Sequence, residues 1–218
     1  MVTWTKKSRR IVPRAGVIKV NVGSSLSVAD GWINVDGSPH LLFTGMPKPI
    51  LRLLYRISDA RNWCSEEDRY ISQLKKHRFV HHKLEYGLPF PDGSVDYLYS
   101  SHVLEHFYPD VAEHILRAAF RVLKAGGRIR ICVPDLHHAF ELYADGSKGR
   151  ALNYFFASSK AGSFHQHRYM YDYELLSALL KKIGFTSIEK CAYHMGLVPD
   201  LGSLDNRPDE TLYVEAVR

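Results

Sequence analysis

The stretch Asp92-Gly93-Ser94-Val95-Asp96-Tyr97-Leu98-Tyr99-Ser100-Ser101-His102-Val103-Leu104-Glu105-His106, with its continuation to Leu136, decides how this 218-residue chain folds. Pro91-Asp92-Gly93 is a turn, because proline presets φ and glycine accepts backbone angles that side chains resist. Val95 to Ser100 then reads as a strand. Asp110 to Leu123 places Val111, Ile115, Leu116, Ala119 and Val122 on one helical face. Ala125-Gly126-Gly127 is expected to end that helix, since glycine enters the left-handed region at a C-terminus without steric cost. Arg128 to Val133 forms the next strand, closed by Pro134-Asp135. A strand, a helix and a strand in one short run make the unit of a parallel sheet.

The same alternation extends outward. Upstream, Val17 to Val22 and Trp32 to Val35 are short apolar, β-branched runs that suit buried parallel strands. Helical spacing marks Ile50 to Ile57, opened by Pro47 and Pro49, and a second helix follows around Glu66 to Lys76. Phe79 to Leu84 returns to strand. Downstream come a helix near Leu136 to Tyr143, a loop with His165 and His167, and a helix from Asp172 to Lys182 capped by Gly184. Two final strands, Thr186 to Tyr193 and Thr211 to Val217, are joined without a helix and should pair antiparallel. The expected fold is α/β, a Rossmann-like, doubly wound, mainly parallel sheet of about seven strands with an antiparallel last strand and helices on both faces. The expected organisation is a basic arm over 1–16 and one domain over 17–218, with a helical insertion at about 39–78. About nine residues separate Gly23 from the second strand, fewer than the 10–12 that a helical crossover needs, so the first helix should be stunted or absent.

Bulk properties narrow the class. Hydrophobic residues at 45% and charged residues at 24% exclude wholesale disorder. Cys64, Cys132 and Cys191 have no pair spacing, which argues against a disulfide framework and for a reducing, cytoplasmic setting. No segment has the length and apolarity of a transmembrane span. The net charge of +6 points to an anionic partner or to solvated surface charge. Its basic residues gather at 1–14 and 48–78, where contact with an anionic surface at the membrane periphery is one reading, without any nucleic-acid motif.

In an open parallel sheet, ligands bind beyond the carboxyl ends of the strands, where strand order reverses. The residues at those ends are Gly23-Ser24-Ser25, Asp36-Gly37, Glu85, Ser101-His102 and Pro134-Asp135. Asp36 is either a ribose ligand, since a carboxylate accepts two hydrogen bonds from a diol, or a plain turn aspartate before Gly37. His102 and His106, four apart, share one face if a helix begins there. Either acts as a base near neutral pH, or His106 packs structurally behind the loop. Their spacing can hold zinc, but Glu105 stands in the wrong place for the zinc-protease pattern and no clear third ligand follows. No metal is expected, although His165 and His167 could complete a site or touch substrate.

Asp92 to His106 resembles the strand-four motif of class I S-adenosylmethionine-dependent methyltransferases. Arg121-Val122-Leu123-Lys124-Ala125-Gly126-Gly127-Arg128 is similar to the helix-turn-strand that follows there, with Ala125 in place of the usual proline. Tyr171-Asp172-Tyr173 and Ile183-Gly184-Phe185 are similar to the late helix and penultimate strand. Within the superfamily the chain looks closest to small methyltransferase type 11-like proteins, often linked to polysaccharide biosynthesis. The resemblance implies S-adenosylmethionine as cofactor. Gly23, Ser24 and Ser25 would face its methionine part, Asp36 and Gly37 its ribose, Leu84 and Glu85 its adenine, and Ser101 and His102 the methyl-donor pocket. The implied activity is methyl transfer to a small-molecule or sugar/glycan acceptor, with His102, His106 and His165 as catalytic candidates. The superfamily's usual glycine-x-glycine-x-glycine turn is here Gly23-Ser24-Ser25-Leu26-Ser27, two glycines short. That departure keeps open a catalytically inactive, methyltransferase-like binding or partner protein in a biosynthetic assembly.

Overall fold

The structure, a computed structural model, describes residues 3–4, 11, 16–58, 60–156 and 166–218. Its strands are β1 (Thr3–Trp4), β2 (Lys19–Val22), β3 (Trp32–Asp36), β4 (Arg78–His81), β5 (Val95–Ser101), β6 (Leu123–Pro134), β7 (Thr186–Cys191) and β8 (Thr211–Val217). The helices are α1 (Lys48–Ile57), α2 (Ala60–Trp63), α3 (Glu67–Lys76), α4 (Pro109–Val122), α5 (Leu136–Ala144), α6 (Lys148–Phe155), α7 (Tyr173–Ile183) and α8 (Leu201–Leu204). They build one sheet in the order β1-β4-β3-β2-β5-β6-β8-β7. Only β8 runs against its neighbours, pairing antiparallel with both β6 and β7. The two-residue β1 is added at the edge of the seven strands that the sequence predicts.

The order reverses at β2, which has β3 on one side and β5 on the other, both parallel. No helix forms between β2 and β3, as the short connection requires. Alternate residues of the strands feed opposite faces. Val80, Leu98 and Ile131 join the core under α4 and α7, together with Leu116, Ala119, Leu176 and Leu180. On the other face, Phe79 packs with Leu51, Tyr55, Tyr70 and Leu74 of α1 and α3, and Tyr99, Cys132 and Tyr213 pack with Leu201 and Leu204 of α8.

Local chemistry sets several boundaries. Pro109 opens α4, Asp172 caps α7 by accepting the Leu175 amide at 2.8 Å, and Gly184 ends α7 at φ 117°. The turn after α4 departs from expectation. The helix ends at Val122 because Leu123 is already extended, and Gly126 takes φ 76° inside β6 rather than at a helix cap. Gly127 is required by crowding, since a Cβ there would lie 2.9 Å from the Lys124 carbonyl oxygen. The chain also forms α2, α6 and the one-turn α8, none of which has a long enough apolar period to read from sequence, and α8 interrupts the expected direct link between β7 and β8.

Arg52 and Arg56 of α1 pair with Glu67 of α3, while Ile50, Leu53 and Ile57 stay exposed beside them. Part of the basic charge of this region is thus neutralised within the fold. No helix among the described residues is long and apolar enough to cross a membrane.

Candidate functional site

The carboxyl ends of β2, β3 and β5 bring most of the sequence-derived candidates to one end of the sheet. Asp36, the last residue of β3, is buried, and its two carboxylate oxygens accept the backbone amides of Ser25 and Ser38, each at 2.7 Å. The aspartate therefore ties the turn after β2 to the turn after β3. Gly23 has φ 67°, and a Cβ added there would lie 2.2 Å from Cγ2 of Val103. Val103, in the loop after β5, thus lies directly over the glycine. Ser24 is buried and Ser25 takes φ 44°, a left-handed angle uncommon outside glycine. Gly37 follows Asp36 beside the His82 carbonyl. After β4, a short 3-10 turn buries Leu84 and leaves Glu85 exposed.

Ser101 closes β5, and His102 follows it with φ 54°. Nε2 of His102 lies 3.0 Å from the Thr211 hydroxyl, and Nδ1 lies 3.4 Å from Oε1 of Glu105 and 3.5 Å from a guanidinium nitrogen of Arg207. Glu105 is fully buried. Burial pushes its carboxyl up, but the facing His102 and His106 outweigh this and hold it below the ordinary range, so it is charged. His106 places Nδ1 at 3.2 Å from the Gln166 carbonyl and Nε2 at 3.8 Å from Glu105. His165 lies outside the described residues. Sequence reasoning passed over Val103, Thr211 and Arg207. Thr211 and Arg207 reach the site only because the antiparallel β8 returns beside β6, for which the local pattern gives no signal.

Residues 57–131, about a third of the chain, match the family described as a methyltransferase domain. The fold is similar to a S-adenosylmethionine-dependent methyltransferase from Archaeoglobus fulgidus (16% identity, 97% of this chain and 87% of that one, TM-score 0.50). It is also similar to a possible histamine N-methyltransferase from Thermotoga maritima (16%, 94% and 83%, TM-score 0.52). A third match is the putative methyltransferase in a complex with the Haloferax volcanii Trm112 methyltransferase activator (16%, 97% and 86%, TM-score 0.52). The family match covers a third of the chain and the likeness to the solved structures, at 16% identity, is one of fold; S-adenosylmethionine is the cofactor that the neighbours' dependence names.

The donor set fits the ribose end of that cofactor. A carboxylate has about four lone-pair sites, and the two amides on Asp36 leave the others for a diol. The space above Gly23 is taken by Val103.

Proposed function

We propose that this chain transfers the methyl group of S-adenosylmethionine to a hydroxyl of a small-molecule or glycan acceptor. The observation that carries the reading is Asp36, buried and fixed by two backbone amides at the carboxyl end of β3, beside the point where strand order reverses. When bound, the cofactor supplies a methyl group already activated by the sulfonium, so the protein chiefly aligns the acceptor and excludes water. Asp36 and Gly37 hold the ribose, Leu84 and Glu85 border the adenine, and Gly23, Ser24 and Ser25 receive the methionine part. Ser101 and His102 line the donor pocket. His102 is the base that takes the acceptor proton, its ring being held by Thr211 and Glu105. His106 serves the acceptor side, and His165 is a further candidate from the sequence alone. Tyr143, exposed on α5, supplies a stacking and hydrogen-bonding group suited to a sugar, in keeping with a polysaccharide pathway. The exposed Ile50, Leu53 and Ile57, beside Arg52 and Arg56, support contact with an anionic surface from the cytoplasmic side.

A second reading, a catalytically inactive relative acting as a binding partner, is favoured by Val103 over Gly23 and by the serines that replace two glycines. Calorimetric titration with S-adenosylmethionine and S-adenosylhomocysteine separates the two. Micromolar binding that is lost in Asp36→Ala is expected. Absence of heat at millimolar ligand would overturn the enzyme reading in favour of the partner.

A further inference from the structure

Beside the donor pocket, Glu105 is fully buried; Nδ1 of His102 lies 3.4 Å from its Oε1, and neither carboxylate oxygen accepts a well-aligned hydrogen bond from a described residue. One ring nitrogen from each of His106 and His167 and one Glu105 oxygen lie within 4.8 Å of one another. The two imidazole centroids are 5.3 Å apart. Their outer nitrogens show which way the rings present their lone pairs. Nδ1 of His106 meets the Gln166 carbonyl at 3.2 Å, and Nδ1 of His167 meets the Tyr154 carbonyl. A carbonyl oxygen only accepts, so each Nδ1 carries a proton and each neutral ring keeps its lone pair on Nε2.

Two imidazoles whose second nitrogens donate to backbone carbonyls, converging with a buried carboxylate, form the donor set and outer support of a transition-metal site. A buried carboxylate without well-aligned donors is costly, and a bound cation removes that cost. An imidazolium at His106 or His102 does not remove it as well, because Nε2 of His106 at 3.8 Å is beyond hydrogen-bond reach of Oε1 and Nδ1 of His102 at 3.4 Å is poorly aligned with it. Ligand distances of about 2.0–2.2 Å put the ligand atoms of a tetrahedral site roughly 3.3 Å apart, so ring movements of about 1 Å seat the ion. We propose that Glu105, His106 and His167 bind a divalent transition ion, zinc being the one this set of two nitrogens and one oxygen suits best. Three protein ligands leave a fourth position open. If the chain is a methyltransferase, that position takes the acceptor hydroxyl and favours its ionisation. That clause rests on the proposed function, whereas the binding itself does not.

The test uses the full chain, stripped with a chelator and dialysed, then titrated with zinc chloride by calorimetry and with cobalt chloride by visible absorption. One equivalent is expected to bind at micromolar affinity or better, with the intense d–d bands of four-coordinate cobalt. His167→Ala and His106→Ala should each weaken zinc binding by more than about 100-fold, beyond the 10–100-fold of outer-shell changes. Circular dichroism confirms that these half-buried positions leave the fold intact. His137→Ala, at an exposed histidine of α5, should bind as the parent does. No stoichiometric uptake by the parent chain, or uptake that survives both His106→Ala and His167→Ala, would overturn the proposal. Loss of S-adenosylmethionine binding alone would bear on the proposed function and leave the ion site standing.

Discussion

At the scale of single residues, Asp96 shows how one side chain fixes the start of three strands. One of its oxygens accepts the Ile18 amide at 2.7 Å just before β2, and Nζ of Lys124 in β6 lies 2.7 and 2.8 Å from its two oxygens. Burial pushes the Asp96 carboxyl up, but the amide and the ammonium outweigh it and hold the group below the ordinary carboxylate range. A depressed folded-state pKa gives stability that is present above the unfolded value, about 3.9, and is lost as pH falls through the folded value. Asp96→Asn should therefore cost about 1–2 kcal/mol at neutral pH, and the two proteins should converge in acid. Urea unfolding at pH 7 and below the carboxylate range checks this. A variant as stable as the parent at pH 7 would show that the carboxylate contributes nothing.

At the scale of elements, the turn after β2 and the loop after β5 are packed against each other through Gly23 and Val103. A methyl group at Gly23 meets Cγ2 of Val103 and must also adopt φ 67°. The backbone strain is about 1 kcal/mol and the crowding about 1–3, so Gly23→Ala should destabilise by about 2–4 kcal/mol. Val103→Ala in the same chain relieves only the crowding. A double-mutant cycle by chemical denaturation should give a coupling of at least about 1 kcal/mol, and strictly additive losses would refute the contact. The elements themselves were largely legible. The apolar and aromatic run Val95 to Ser100, entered from the Pro91-Asp92-Gly93 turn, and the apolar period of α4 are strong local signals. The turn at Gly126 was misread because a glycine pair signals φ > 0 without saying whether a helix end or a strand irregularity uses it.

For the molecule as a whole, a buried ionic network joins β5, β6, β8 and the segment from Ala192 to Asp205. Arg130 is fully buried and grips Asp205 with two bonds, at 3.1 and 2.6 Å, while reaching Glu215 at 3.3 Å and the carbonyls of Met195 and Ala192. Tyr99 and the His194 amide also donate to Asp205. Asp205→Ala leaves the guanidinium buried without its main partner and should cost about 3–5 kcal/mol. Replacing Arg130 by Met and Asp205 by Leu together should cost less than that single change. Guanidinium denaturation of the three variants measures the ordering, and a loss under about 1 kcal/mol for Asp205→Ala would contradict it. From the sequence alone, Arg128-Ile129-Arg130 offers two similar arginines on one strand face, and nothing nearby distinguishes the one that is buried. The sequence by itself determined the strand-helix alternation with its class of fold, and Asp36 as a residue at a strand's carboxyl end, because periodicity and strand-end position are local properties. Only the tertiary structure decided that Val103 covers Gly23, that Thr211 holds His102, and that His167 faces Glu105 and His106 across some sixty residues of chain. Those contacts depend on how sheet neighbours and returning loops meet in space, and no spacing along the chain encodes them.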